Sequence, residues 1–389
     1  MNKEKTHSIF FATRAIAPPW DEASKNMVLE IAKRLDRFSI TLLTYKNQKE
    51  LLSRPSLVFK KIYPLGSNNK RNLGQITFLQ KCSFLSALMF SNASIYHFYF
   101  TAEIYSSKIL RIIRWFKRGK YLQTIATPIK IKSKIPSIVF GDVVVVQSDY
   151  SLNLLNNMGI KNVSRIYPAI DTEYFKPGID TTQLRKQLDI ADNNKVVLYC
   201  GNYYLGCNDD LINIILLLSK REKPIKFILA CRIGFHEDLL ERERMKTVFC
   251  REGIIDNVIF LEKTENILQL IEISDIHIYP AQKMLYKSDI PLVLLESLAM
   301  EKPIIITDIS PLNEIMKEDV GEVIPVGDTG QLLDSILKLL NDDITRKAKG
   351  KRGREIVIRE FGLNSYVEQY SALYDKLLGN SKIQPMATK

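Results

Sequence analysis

The chain has 389 residues, 46% hydrophobic and 25% charged with modest Gly and Pro, which suits two folded domains and excludes disordered or collagen-like material. Its formal net charge of +12 is uneven: residues 1–170 carry 26 Lys/Arg against 9 Asp/Glu, which leaves 29 against 34 for the remainder. The basic part suits an anionic surface or substrate, whether membrane phospholipid, lipid phosphate or nucleic acid.

The chain opens polar and runs into an apolar stretch too short for a signal-peptide core. Residues 83–100 come nearest to the roughly 18-residue run that spans a bilayer, but Ser91, Asn92, Ser94 and His97 interrupt them. A soluble or peripheral protein is expected. The five cysteines lack CxxC spacing and read as buried free thiols of a reducing compartment.

In chain order, a first strand is expected over 8–12, then a loop with Pro18, Pro19, Trp20, Asp21 and Glu22. A helix follows through Met27, Val28, Ile31, Ala32 and Leu35, capped by Ser24. Strands over 39–45, 95–99, 121–126, 143–147 and 163–167 continue the series, with a helix from about residue 151. The run Val143 to Val146 suits a strand buried on both faces. Residues 168–178 are turn-rich and read as a linker. The alternation then restarts. Strands over 196–200, 226–230, 258–261, 276–279, 303–307 and 322–325 interleave with helices over 209–220, 237–252, 267–273, 292–300 and 329–340. A last amphipathic helix over 365–378 precedes a polar, disordered tail. This pattern is α/β, with two doubly wound parallel sheets.

Several strings resemble retaining glycosyltransferases of family 4. They are Val144-Val145-Val146-Gln147-Ser148-Asp149-Tyr150, the stretch Ile166 to Pro177, and Leu294-Leu295-Glu296-Ser297-Leu298-Ala299-Met300-Glu301-Lys302-Pro303. Glu314 with Gly321-Glu322-Val323, and Phe361-Gly362 before the final helix, complete the match. Order and spacing hold from about residue 140 to 378, while the first 140 residues match loosely. The resemblance implies a GT-B fold: two Rossmann-like domains with a cleft between them and a C-terminal helix crossing back. The expected division is an acceptor-side domain 1–170, a nucleotide-sugar domain 171–362, a crossover helix 363–379 and a tail 380–389. It also implies transfer from a nucleotide-sugar with retention and without a metal or other cofactor.

The same resemblance places Glu296 early in a helix at the carboxyl edge of the second sheet, accepting from both ribose hydroxyls of the nucleotide. The backbone N–H groups of Leu292 and Val293, after Pro291, open that helix and can cradle a diphosphate. A solvated helix Glu favouring the dipole is the plain alternative. The family has two glutamates with seven residues between them; here Ser288 takes the first place and Asp289 stands beside it, so Asp289 is a candidate for holding the sugar hydroxyls. After strand 196–200 the family places an Arg and a Lys against the leaving diphosphate. Asn202 and Cys207 occupy those places, next to Gly201. Arg232, Lys263 and Lys287 are the candidate substitutes, since charge stabilisation of a leaving group is commonly a dominant catalytic contribution.

On the acceptor side the candidates are Trp20, Asp21, Lys25 and Asn26, the last two suiting either an anion site at a helix start or a rigid Pro turn followed by a surface Lys. His97, at the end of a strand, is a candidate catalytic residue near the reacting sugar; a structural His among aromatics is the other reading. His277 reads as core. No His pair has metal-ligand spacing. Lys108 to Lys120, with Lys130, Lys132 and Lys134, is basic and amphipathic, and suits either an anionic leaflet or a helix that packs on its own sheet.

The expected activity is therefore glycosyl transfer to an anionic or lipid-linked glycan acceptor in polysaccharide or envelope glycan synthesis, at the cytoplasmic face of the membrane. A catalytically weak GT-B partner subunit, binding donor without turnover, is the competing expectation, supported by Asn202, Cys207 and Ser288. Nucleic acid is not an expected partner, for no RNP, zinc-finger or helix-turn-helix string is present.

Overall fold

A computed structural model describes residues 7–17, 23–44, 57–61, 78–100, 103–126, 134–220, 225–262, 266–284 and 288–379. It divides into two units, one comprising Met1–Pro168 with Leu363–Lys389 and the other Ala169–Gly362.

The first unit contains β1 (Ser8–Ala12), α1 (Ala23–Arg34), β2 (Ser39–Thr44), β3 (Leu57–Lys61), α2 (Phe78–Met89), β4 (Ile95–Tyr99) and α3 (Ile104–Phe116). It continues with β5 (Lys120–Ile125), α4 (Ile135–Ile138), β6 (Val143–Val146), α5 (Asp149–Asn157) and β7 (Val163–Arg165). The second unit begins with α6 (Thr182–Gln187), β8 (Lys195–Tyr199), α7 (Asn208–Ser219), β9 (Ile225–Ala230), α8 (His236–Arg251) and β10 (Val258–Leu261). It ends with α9 (Ile267–Ile273), β11 (Ile276–Tyr279), α10 (Leu292–Ala299), β12 (Ile304–Thr307), β13 (Gly321–Ile324), α11 (Thr329–Asn341) and α12 (Asp343–Glu360). Helix α13 (Leu363–Leu378) returns to the first unit.

Each sheet is parallel, ordered β3-β2-β1-β4-β5-β6-β7 in the first unit and β10-β9-β8-β11-β12-β13 in the second. Strand order reverses between β1 and β4 and between β8 and β11, and the carboxyl ends of strands at such switch points are where open α/β sheets bind ligands. Parallel strands covered on both faces need apolar residues throughout, and the all-valine β6 and β12 (Ile304, Ile305, Ile306) meet that need with little exposure.

Strand alternation sorts the first unit's core. Phe10, Ala12, Tyr96 and Phe98 point to the side of α3, packing with its Leu110 and Ile113. Phe11 and His97, paired across β1 and β4, point the other way, to where α13 lies. Tyr366, Tyr370 and Tyr374 of α13 are buried. Tyr99 Oη meets Tyr366 Oη at 2.8 Å, and Thr124 Oγ1 meets Tyr370 Oη at 3.0 Å. Arg37 reaches from beyond α1 to Asp375 at 2.6 Å.

In the second unit α12 packs on α10, and the sequence reading contained no helix there. Its buried face carries Arg346, Lys349, Gly350 and Gly353 with Ile356 and Val357. The two glycines permit close approach: a Cβ at 350 would overlap the Glu301 carbonyl, and one at 353 would lie 2.7 Å from Leu298 Cδ2. Arg346 pairs with Asp275 at 3.1 Å, and Lys349 donates to the Gly321 carbonyl at 3.1 Å, so both buried cations are satisfied. The 168–178 segment, expected as a linker, is held to this helix: Arg354 donates to the carbonyls of Phe175 at 3.0 Å and Thr172 at 3.2 Å.

Three finer expectations are corrected. Helix α1 begins at Ala23, so Ser24 lies inside it rather than capping it. The helix expected from residue 151 begins at Asp149, with Ser148 Oγ accepting from the Ser151 amide at 3.0 Å. Of the cysteines, none in a disulfide, Cys207 and Cys231 are buried, whereas Cys82 and Cys250 are exposed.

Candidate active site

At the second unit's switch point the chain leaves β8 through Cys200, Gly201 and Asn202, beside the end of β11. Gly201 is required by close approach: a Cβ there would overlap the ring of Tyr199. The Tyr199 hydroxyl lies under this loop, 3.1 Å from the Asn202 carbonyl and 3.3 Å from Cys207 Sγ. Asn202 then opens a short turn of 3-10 helix, Tyr203–Leu205.

Helix α10 starts at Leu292 after Pro291, and Leu294 N closes the first bond to the Pro291 carbonyl at 3.1 Å. The amides of Leu292 and Val293 therefore open the helix, where backbone donors and the helix dipole favour an anion. Glu296 follows one turn along on a partly exposed surface. Burial pushes its carboxyl up to about 7, with no charged neighbour among the described residues contributing. A carboxyl held there titrates near neutrality.

One connection between these parts was not legible in sequence. His277, mid-strand in β11 and completely buried, accepts at Nε2 from the Cys200 amide at 3.2 Å. Its Nδ1 therefore carries the proton and donates to Ser297 Oγ at 2.7 Å, and Ser297 Oγ donates to the Val293 carbonyl at 3.0 Å. Burial pushes His277 down to about 3, so it stays neutral and keeps this tautomer. The imidazole thus ties the loop after β8 to the first turn of α10. The core reading of His277 is right about its burial but misses its role as a strut.

Other expected site residues fare differently. Ser288 is partly exposed, with Oγ donating to the Ile290 carbonyl at 2.9 Å. Asp289 is only 1% exposed, so its carboxyl is closed to a sugar in this structure. Cys207 is buried against Tyr199, and burial pushes its thiol up to about 12, so no charge stands where the resemblance expects a cation. Arg232 is exposed on the loop after β9. Because Leu229 and Tyr199 are register partners, Arg232 and Asn202 leave the same sheet edge at neighbouring strands. Lys263 and Lys287 lie outside the described residues, as do Trp20 and Asp21.

In the first unit, His97 requires correction as a catalytic residue. It is the third residue of β4 rather than its end, and it is fully buried. Its ring nitrogens meet Tyr374 Oη and Thr124 Oγ1, both at 2.8 Å, and burial pushes it down to about 3. Both nitrogens are thus engaged within the unit, and the side chain seats α13. Lys25 is buried too, its ammonium turned back to the Ala17 carbonyl at 3.2 Å, while Asn26 is partly exposed beside it. Among the described residues no cluster of His, Cys, Asp or Glu could hold a metal ion.

Residues 180–356 match the family described as Glycosyl transferases group 1. A curated relative, N-acetyl-alpha-D-glucosaminyl L-malate synthase of Bacillus anthracis, is 28% identical over 64% of this chain and 69% of its own. The chain spans 60% or less of four further curated relatives, among them lipopolysaccharide core biosynthesis mannosyltransferase LpsB of Rhizobium meliloti, 23% identical over 55% of this chain. Among solved structures, Anabaena HepE in complex with UDP and glucose superposes with a TM-score of 0.73 at 17% identity, covering 95% of this chain and all of that one. Two parallel-sheet Rossmann-like units make this the GT-B fold.

Proposed function

We propose that this chain, whose residues 180–356 match the group 1 glycosyltransferase family, moves a sugar from a nucleotide-sugar to an anionic or lipid-linked glycan acceptor. Retention of anomeric configuration and metal independence belong to the proposal, as does a place in polysaccharide or envelope glycan synthesis at the inner membrane face. Glu296 carries the reading: a carboxyl one turn past the open amides of Leu292 and Val293, at the carboxyl edge of the switch-point strands. The amides would receive the diphosphate and the carboxylate two ribose hydroxyls, which orients the donor and leaves its sugar beyond the helix start. Arg232, with Lys263 and Lys287, would supply the leaving-group charge that Asn202 and Cys207 do not. Relatives named as a lipopolysaccharide core biosynthesis mannosyltransferase and an N-acetyl-alpha-D-glucosaminyl L-malate synthase, and a fold relative in complex with UDP and glucose, support the substrate classes.

The buried Cys207 favours a second reading, a donor-binding subunit with weak turnover. Thermal shift with a panel of nucleoside diphosphates, followed by nucleotide-sugar hydrolysis and transfer assays, separates the two. Stabilisation by one nucleotide together with release of that diphosphate supports the enzyme. Stabilisation without release supports the subunit, and no stabilisation by any nucleotide removes both.

A further inference from the structure

The first unit carries apolar surface that its own fold does not use. Helix α3 buries Ser107, Leu110 and Ile113 against the sheet. On its remaining surface Trp115 is 85% exposed and Phe116 74%, with Ile112 also exposed. Helix α2 is apolar around much of its circumference: Leu88 is buried and Phe84, Leu85 and Ala87 pack partly against the core, whereas Phe78, Leu79 and Met89 are exposed, and Phe90 just past its end is 86% exposed. The two helix ends are neighbours, because Lys117 Nζ donates to the Met89 carbonyl at 2.8 Å and to the Ser91 carbonyl. Isolated exposed hydrophobics need no explanation, but aromatics gathered at two adjacent helix ends do.

Beside them lies a depression of about 520 Å³ lined by Arg114, Lys117, Arg118 and Lys120 together with Asp142 and Leu377. Arg114 is engaged by Asp142 and by the Phe140 carbonyl at 2.9 Å, whereas Arg118 and Lys120 are exposed. The depression opens at the amino edge of the sheet, for Ser94 and Lys120 stand at the starts of β4 and β5. That is the edge opposite the β1–β4 switch point.

We infer that this corner of the first unit docks on a bilayer rich in anionic phospholipid. Phe90, Trp115 and Phe116 enter the interface, and Arg118 and Lys120 meet lipid phosphates at the depression. Charge complementarity selects this occupant. Exposed aromatics ringed by cations suit the boundary between anionic headgroups and acyl chains, where amphipathic aromatic rings concentrate. Docking at the amino edge leaves the carboxyl edge open to ligands. Sequence leaves two readings of the basic helix, and α3 carries a feature of each, with one apolar side on the sheet and a second facing outward. The inference does not depend on the transfer reaction.

Flotation of the full chain with phosphatidylcholine vesicles, with and without phosphatidylglycerol, tests it. Binding is expected only with phosphatidylglycerol, and it should fall steeply with salt. Arg118→Ser with Lys120→Ser should weaken it about 25-fold, from about fivefold per cation near an anionic leaflet. Trp115→Ser with Phe116→Ser should weaken it at least as much without lowering the unfolding temperature, since both rings are exposed. Absence of binding to anionic vesicles overturns the inference, as does equal binding to neutral ones. It is also overturned if the aromatic variant turns a dimer into a monomer by light scattering while wild type ignores vesicles, for the patch then covers a second copy.

Discussion

Replacing Glu296 with Gln should stabilise the ligand-free protein while weakening nucleotide binding, and the two effects should share one pH window. The carboxyl is raised from an ordinary 4.5 to about 7 by burial, and each tenfold change in acidity corresponds to about 1.4 kcal/mol. Between those values the folded state holds a proton that the unfolded state has released, so stability falls as pH rises. Below about 4.5 the loss is absent, and above about 7 it is complete, at roughly 3 kcal/mol as an upper bound. Glutamine keeps the shape and removes the titration. Its advantage over wild type should therefore be near zero at the acid end and grow to as much as ~6 °C above neutrality, taking about 2 °C per kcal/mol for a domain of this size. Scanning fluorimetry of both proteins across this range reads it directly. With a bound nucleoside diphosphate the ranking should reverse. Ribose hydroxyls donate best to an ionised carboxylate, so wild-type affinity should rise as pH passes about 7. The Gln variant should bind ~10- to 100-fold more weakly, on the scale of a hydrogen bond to a charged group, with a flat pH profile. A variant less stable than wild type above neutrality, or one that binds nucleotide normally, refutes the reasoning.

Three further outcomes follow from the geometry. His97→Ala should destabilise the first unit by about 2–4 kcal/mol, because Tyr374 and Thr124 lose buried partners and a cavity opens; calorimetry should show this while nucleotide affinity stays unchanged. His277→Ala frees the loop after β8 from α10 and should raise the dissociation constant for nucleotide about tenfold, measured by titration calorimetry. Gly201→Ala should weaken the same binding by forcing the loop away from Tyr199, with circular dichroism reporting an intact fold.

The repeating strand–helix grammar of the second unit was legible because its strands are short apolar runs between polar punctuation, as at 276–279 and 304–307. Helix α12 was not, since its inward face is built from Arg346, Lys349 and two glycines rather than an apolar stripe. The sequence suggests no helix at α2, whose second half falls in the interrupted apolar run 83–100, because nothing local shows that one apolar side stays outside. Glu296 is singled out by its place in a string with a physical role. His97 was misjudged because its partner Tyr374 lies 277 residues away; strand position alone cannot tell a histidine facing a ligand from one facing a returning helix. His277 acts through a neighbour on another strand and another on a helix, a relation no spacing encodes.

The discontinuity of the first unit has a consequence for biosynthesis. Its sheet is translated early, but the helix that covers His97, Tyr99 and Thr124 leaves the ribosome only after all of Ala169–Gly362. The continuous second unit can complete its core before α13 emerges; the first stays an open half-sandwich until that helix arrives. A stop codon just before residue 363 thus releases a polypeptide whose later portion is finished and whose earlier portion never closes.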